Sequence, residues 1–200
     1  MIEQLLRPYS EEDRISLLIR HADRYDFKEG TDGNEALLTE QGKINACKLG
    51  EDLSKYRVNK IITTPVPRCI QTGECIVKGY GKPVEISPSN LFGGLHIINW
   101  ELANEFFNVH GYEKWYQNII DDIPTPGIYS TEEYRKSMTD FLVRNTNKGL
   151  TIFISHDFPI AFYHYSINKT IYTIFSDWVK YLSGLILKNG QYVARFQNNE

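Results

Sequence analysis

The stretch Ser16–Phe27, "SLLIRHADRYDF", places two arginines and a histidine directly after a short apolar run. Residues 15–19 are apolar and rich in strand-forming types, which predicts a buried strand. Arg20 and His21 end that strand, and Arg24 follows one turn later. A protein core does not bury such side chains unless they have partners. The stretch therefore predicts a strand whose carboxyl end carries a polar cluster.

Two later strands end in the same way. The segment "KIITTPVPR" leads to Arg68, and "LTIFISHD" ends at His156 and Asp157. Because the carboxyl ends of neighbouring parallel strands open onto one crevice, we expect these side chains to meet the first cluster there. Several arginines in one small volume repel each other unless an anion lies between them, and guanidinium groups match phosphoryl oxygens well. The three strand ends therefore predict a phosphate-binding site.

Helices alternate with the strands along the chain. We predict one over residues 39–55, one after Pro67, one over 131–145 and a short one after Pro159. Residues 84–87 form a further predicted strand, and Asn189-Gly190 between two apolar runs predicts a terminal hairpin. Alternating strands and helices favour an α/β fold. We expect a three-layer α/β/α sandwich with a mainly parallel central sheet.

Residues 88–130 differ from the rest of the chain. They hold many aromatic residues among Gly, Pro and Asn, and their apolar periodicity is weak. We interpret this segment as a lid insertion folded over one end of the sheet. The whole chain, residues 1–200, then forms a single domain.

Composition limits the classes of partner. The 22 basic and 25 acidic residues give a formal net charge of −3, so no general field favours nucleic acid or an anionic membrane. No apolar stretch has the length of a membrane span, and the first residues do not resemble a signal peptide. The three cysteines lack C-x-x-C spacing and are typical of a reduced protein. We expect a cytoplasmic protein without nucleic-acid or membrane partners; oligomeric state is not indicated.

The quoted motifs resemble a known family. "RHADR", "TTPVPRCIQTGE" and "SHD" are similar, in this order, to three signatures of the histidine phosphatase superfamily, which includes phosphoglycerate mutases and histidine acid phosphatases. The segment "LLTEQGKINACKLGEDL" resembles a helix of the same family. The resemblance covers most of the chain outside residues 88–130, and it implies a phosphoglycerate mutase-like fold.

The resemblance also implies roles for individual residues. His21 would be the nucleophile that forms a phosphohistidine, and the phosphoryl oxygens would bind to four side chains: Arg20, Arg24, Arg68 and His156. His156 would thereby also take part in catalysis. No metal or other cofactor is implied, because the arginines would neutralise the phosphate, and the sequence has no carboxylate cluster suited to magnesium.

The proton donor is less clearly indicated. In the acid phosphatase branch an aspartate directly follows the second histidine, which matches Asp157. In the mutase-like branch a mid-chain glutamate serves, and Glu101 is the residue here that could do so. We favour Asp157, whose simpler role would be to cap the following helix. Two positions depart from the acid phosphatase pattern: Ala22 replaces the commoner glycine, and Asp26 stands in place of proline.

These features together predict a metal-independent phosphatase acting on a small phosphate ester. The stretch "ADRYDF" after the histidine does not resemble the serine- and asparagine-containing segment of mutase-like members, so hydrolysis is favoured over transfer. Two alternatives stay open. One is a phosphoglycerate mutase-like phosphotransferase, and the other is a non-catalytic protein that binds a phosphorylated ligand.

Overall fold

The computed structural model describes residues 2–29, 33–173 and 177–198, and only the backbone of Tyr112. Seven helices and six strands lie in these ranges. They are α1 (Ile2–Leu6), β1 (Arg14–Arg20), α2 (Glu40–Asp52), β2 (Val58–Thr63), α3 (Pro67–Tyr80), β3 (Glu85–Pro88), α4 (Asn90–Gly94), α5 (Trp100–Ile120), α6 (Thr131–Asn145), β4 (Gly149–Ser155), α7 (Asp157–Asn168), β5 (Gly184–Lys188) and β6 (Gln191–Phe196). None of the helices in the described ranges combines the length and hydropathy needed to cross a lipid bilayer.

The strands form one sheet in the order β3-β2-β4-β1-β5-β6. Strands β1 to β4 are parallel, while β5 pairs antiparallel with both β1 and β6. β4 lies between β1 and β2, and its register sets Ser155 beside Arg20 and Ile154 beside Thr63. The carboxyl ends of the three motif-bearing strands are therefore adjacent, as the sequence predicts.

Helices cover both faces of the sheet. Along β1, Leu17 and Ile19 pack into a core cluster with α1, α2 and α3, while Leu18 packs into a second cluster with α4 to α7. The side chains of β4 alternate in the same way: Ile152 packs into the first cluster and Phe153 into the second. Since alternate residues of a strand point to opposite faces, the unbroken apolar runs serve both layers. The three-layer sandwich is confirmed.

Most predicted elements are present, with shifted ends. The capping box at Ser130 and Glu133 opens α6 at the predicted residue, and the Asn189-Gly190 turn joins β5 to β6. The helix expected after Pro159 begins earlier, at Asp157, because His156 has an extended backbone and occupies the N-cap position. Asp157 is therefore the first residue of that helix and not its cap. Helix α1 was not predicted.

The insertion is more regular than its sequence indicated. Residues 90–94 and 100–120 are helical, and α5 is kinked at Gly111, where φ is 75° and ψ is 174°. The kink breaks the helical repeat, which explains the weak apolar periodicity. Trp115 and Tyr116 of α5 join the same core cluster as Phe153 of β4. The insertion therefore forms part of the helical layer that covers one face of the sheet.

Helices α2 and α3 pack with their backbones in contact. A Cβ atom added to Gly79 would lie 1.8 Å from the carbonyl oxygen of Cys47, and one added to Gly50 would lie 2.1 Å from that of Ile76. Glycine at these two positions lets α3 approach α2 closely.

We predict that Gly79→Ala lowers the free energy of unfolding by at least about 2 kcal/mol, because backbone atoms cannot move aside cheaply. Gly73→Ala on the same helix is the matched control. Its new methyl group would meet side chains at 3.4–3.6 Å, an ordinary contact. That variant should be neutral or gain up to about 1 kcal/mol from helix propensity. Urea denaturation followed by circular dichroism measures both, and equal shifts would contradict the packing argument.

Candidate active site

The carboxyl ends of β1, β2 and β4 bring five of the predicted side chains together. Arg68 Nε donates to Nε2 of His21 at 3.1 Å, and Arg68 Nη2 donates to Nδ1 of His156 at 3.3 Å. Arg20 Nη2 lies 3.0 Å from a carboxylate oxygen of Asp157. The two imidazole rings are 5.4 Å apart, centroid to centroid. Residues distant in the chain thus form one cluster.

His21 is held in a single tautomer. Its Nδ1 lies 2.8 Å from the carbonyl oxygen of Ala22, and a carbonyl can only accept, so Nδ1 carries the hydrogen. The guanidinium of Arg68 can only donate, so Nε2 presents its lone pair. The backbone is fixed too, because the His21 N–H donates to the carbonyl of Ser155 and the Ala22 N–H to the hydroxyl of Thr72.

Both imidazoles are neutral. Burial lowers the pKa of His21 well below its usual value of 6.5, and the neighbouring His156 lowers it further. Burial and the charge of Arg68 lower the pKa of His156 to about 3. Nδ1 of His156 accepts from Arg68, so its Nε2–H donates to the hydroxyl of Thr64 at 3.1 Å. Two uncharged rings therefore serve as acceptors for one cation.

Arg68 is the centre of the cluster. It follows Pro67, the first residue of α3, and only 7% of its surface is exposed. Its third guanidinium nitrogen, Nη1, donates to the carbonyl oxygen of Gly33 at 2.8 Å. Burial lowers the pKa of Arg68, and the charges of Arg24 and Arg20 lower it further. Among the described residues, the hydrogen bonds of its side chain go to uncharged groups. A buried cation in this state is well suited to bind an anion.

Arg20 is fixed by residues that the sequence analysis did not single out. Its Nη1 donates to the carbonyl of Val179 at 2.7 Å, and its guanidinium lies 4.1 Å from the ring centroid of Tyr181. The Tyr181 ring is also 5.6 Å from that of His21. Among the described residues, nothing accepts a hydrogen bond from Arg20 Nε, although that atom is buried. No motif marks Val179 or Tyr181, so only the folded structure reveals them.

Two predicted site residues lie outside the cluster. Arg24 stacks on the ring of Phe27, with 3.5 Å between the guanidinium carbon and the ring centroid, and donates to the carbonyl of Tyr25. Its charge nevertheless lowers the pKa of Arg68, which places it at the edge of the site. Glu101 is exposed in the first turn of α5, and in the described part of the chain no hydrogen bond or ion pair joins its carboxylate to the cluster.

The cluster offers no evident metal site. Within the described ranges, no group of three or more His, Cys, Asp or Glu side chains is arranged to hold a metal ion. Cys69 lies beside His156, with 3.8 Å between the sulfur and Nε2, but burial raises the pKa of its thiol to about 12. This thiol is therefore protonated at neutral pH and is a poor nucleophile and metal ligand.

Comparison with known proteins identifies the family. The sequence profile of the histidine phosphatase superfamily (branch 1) matches residues 16–173, which include all five side chains of the cluster. The chain belongs to the histidine phosphatase superfamily. Among curated proteins, none matches the sequence.

Solved structures with a similar fold include those of a phosphoglycerate mutase and of two phosphatases. Phosphoglycerate mutase from Bacillus anthracis superposes with a TM-score of 0.60 at 13% identity, covering 92% of this chain and 93% of that one. A mycobacterial glucosyl-3-phosphoglycerate phosphatase gives 0.57 at 15% identity, over 88% and 90% of the two chains. The ecdysone phosphate phosphatase of Bombyx mori gives 0.52 at 14%, over 86% and 88%. At these identities the likeness shows a shared phosphoglycerate mutase-like fold.

The neutral histidines predict acid sensitivity. Burial lowers the pKa of His21 and His156, and that of His164 to about 4. Between these values and about 6.5 the unfolded chain binds more protons than the folded one, so stability is lost as the pH falls. Each such histidine contributes up to about 1.4 kcal/mol per pH unit.

We therefore expect the free energy of unfolding to fall from pH 7 to pH 5 in urea titrations. His164→Gln should reduce this slope, while the same change at the exposed His110 should not. A stability that is independent of pH over this range would contradict the assignment of neutral buried histidines.

Proposed function

We propose that this superfamily member hydrolyses phosphate monoesters of small molecules through a phosphohistidine at His21. The observation that carries the proposal is the state of that ring. It is neutral, its Nδ1–H is bound to a carbonyl, and its Nε2 lone pair faces the guanidinium of Arg68. A neutral, rigidly oriented imidazole beside a buried cation is what attack on a phosphoryl group requires.

The phosphoryl group would replace internal contacts of the cluster. Arg68 would transfer its hydrogen bonds from the two imidazoles to phosphoryl oxygens, which frees the lone pair of His21. The Nε–H of Arg20, which has no acceptor among the described residues, supplies a further donor. His156 borders the same space and would transfer its Nε2–H from the Thr64 hydroxyl to a third oxygen. Such preorganised donors stabilise the charge that develops on transfer. We place Arg24 at the edge of this site, as a longer-range positive charge.

The reaction then has two steps. Nε2 of His21 bonds to phosphorus while the ester P–O bond breaks, and the leaving alcohol takes a proton. Water next attacks the phosphohistidine and gives a proton to the Asp157 carboxylate, which breaks the N–P bond, releases inorganic phosphate and restores both the neutral ring and the acid. We favour water over a second phosphate ester as acceptor, because "ADRYDF" after His21 lacks the serine and asparagine expected of mutase-like members.

Asp157 is our choice of proton donor. It adjoins His156 in sequence and contacts Arg20, and its second oxygen accepts from the Phe158 N–H at 2.8 Å. When Arg20 turns to the phosphate, one oxygen of Asp157 is released beside the leaving group. Glu101, on the exposed first turn of α5, has no contact of this kind among the described residues.

Two broader proposals accompany this function. We propose that the chain acts as one domain, because aromatic residues of the insertion share a core cluster with the sheet. We also propose a cytoplasmic location, which the three free cysteines favour. Neither nucleic acid nor a membrane is part of the proposed activity.

The nucleophile can be tested directly. Wild type should release p-nitrophenolate from p-nitrophenyl phosphate without added bisphosphate, and His21→Ala should lower kcat by on the order of 10³-fold or more. His110→Ala, at an exposed histidine of α5, should match wild type. Equal rates for wild type and His21→Ala would indicate a protein that only binds phosphorylated ligands. An absolute need for a bisphosphate primer would instead indicate a mutase.

The proton donor can be tested with two leaving groups. Asp157→Asn should lower kcat on n-propyl phosphate by about 10²- to 10⁴-fold, because an alkoxide needs a proton to leave. It should lower kcat on p-nitrophenyl phosphate far less, since p-nitrophenolate leaves unprotonated. Glu101→Gln should leave the ratio of kcat on n-propyl phosphate to kcat on p-nitrophenyl phosphate at its wild-type value. If Glu101→Gln alone reproduces the leaving-group effect, the donor is Glu101.

A further inference from the structure

His96 is a buried histidine that the proposed reaction does not use. It lies in the loop between α4 and α5, within the insertion, and 8% of its surface is exposed. Its ring centroid lies 6.0–6.5 Å from those of four aromatic side chains: Trp100, Trp115, Tyr134 and Phe158. These rings fix the imidazole in place from several sides.

The ring of His96 has unused hydrogen-bonding capacity. Its backbone carbonyl accepts from the Tyr129 N–H, but in the described part of the chain no hydrogen bond or ion pair reaches the imidazole. The side-chain atoms there that lack both a partner and solvent contact do not include its nitrogens. The ring therefore keeps an open edge. A buried polar group in this state is stabilised when a ligand supplies the missing hydrogen-bond partner.

The ring of His96 lies near the phosphate site. The segment that carries His96 is anchored at the carboxyl end of β2, where the Ser89 N–H donates to the Thr63 carbonyl at 2.9 Å. Phe158, which packs on His96, is two residues beyond His156 in the first turn of α7. A charge on His96 would lower the pKa of His156, as expected of neighbouring rings. His96 thus borders the crevice on its His156 side.

The chemistry of this edge selects the kind of group that can bind. Burial lowers the pKa of His96 to about 4, so the ring is neutral at pH 7 and offers one donor and one acceptor. A neutral imidazole among aromatic rings suits a neutral polar group. A hydroxyl can donate or accept and so matches either tautomer, whereas a carboxylate or second phosphate could use only the N–H donor and would gain no counter-charge from the neutral ring.

We propose that His96 binds a hydroxyl group of the leaving alcohol, so that the preferred substrates are phosphate monoesters of hydroxylated compounds such as polyols and sugars. This proposal rests on the proposed phosphatase activity and names its substrate class. His96 then determines specificity, while the bond-breaking groups are those of the cluster around Arg68.

The test compares two esters of the same chain length. Glycerol 3-phosphate carries two hydroxyls that n-propyl phosphate lacks, and we expect wild type to favour it at least tenfold in kcat/KM. In His96→Phe the ratio of the two kcat/KM values should fall to near one, because no polar group is left to bind the hydroxyl. His96→Gln, which keeps a donor and an acceptor, should retain part of the preference.

His110→Phe is the matched control, since it makes the same change at an exposed histidine of the same insertion. It should leave the ratio at its wild-type value. Circular dichroism checks that each variant is folded. If His96→Phe does not fold, the proposal is judged from the ratio of the two kcat/KM values in wild type and in His96→Gln.

Three results would overturn the proposal: a wild-type ratio near one, a ratio unchanged in His96→Phe, or an equal fall in His110→Phe. The proposed phosphatase activity is judged separately, by His21-dependent hydrolysis of p-nitrophenyl phosphate. If that hydrolysis is present and the ratio does not respond to His96, only the substrate class is wrong. If it is absent, the phosphatase proposal fails and the substrate class fails with it.

Discussion

The structure depends on a buried guanidinium held between two uncharged imidazoles. Arg68 donates to His21 and His156 at once, and both rings must be neutral for these contacts to form. Protonation of either ring would remove an acceptor and set two positive charges against each other. The same requirement determines the tautomer of His21, and with it the nitrogen that can act as a nucleophile. Folding and the proposed chemistry thus require one protonation state.

The surroundings of the cluster maintain that state. The sheet buries its strands on both faces, so the rings at the strand ends are withdrawn from water. Helix α3, which begins one residue before Arg68, is seated against α2 through glycines that allow their backbones to touch. Residues of the insertion pack against the opposite face of the sheet, and we propose that His96 borders the crevice from there. Each layer therefore contributes either a functional group or the buried, low-dielectric surroundings that keep the imidazole rings neutral.

The sequence predicted those parts of the fold that depend on local physics. Apolar runs that end in polar residues correctly predicted β1, β2 and β4. The residue types at Ser130 and Glu133 correctly predicted the capping box that begins α6. Long-range contacts of residues that no motif marks could not be predicted. Nothing near Tyr181 or Val179 in the sequence indicates that they hold Arg20, and nothing near Arg24 indicates that Phe27 would attract it away from the cluster. The kink at Gly111 interrupts the apolar periodicity of α5, so the sequence did not predict the helical segments on either side of it.

The order of the strands has a consequence for biosynthesis. β4 occupies the position between β1 and β2, yet it is made well after both of them. In a nascent chain that has emerged only as far as β3, neither edge of β1 and only one edge of β2 can be paired as in the native sheet, and unpaired edges invite pairing with other chains. The central pairings join residues far apart in sequence, which slows folding. Until the ribosome has released β4, this protein is a candidate for chaperone binding.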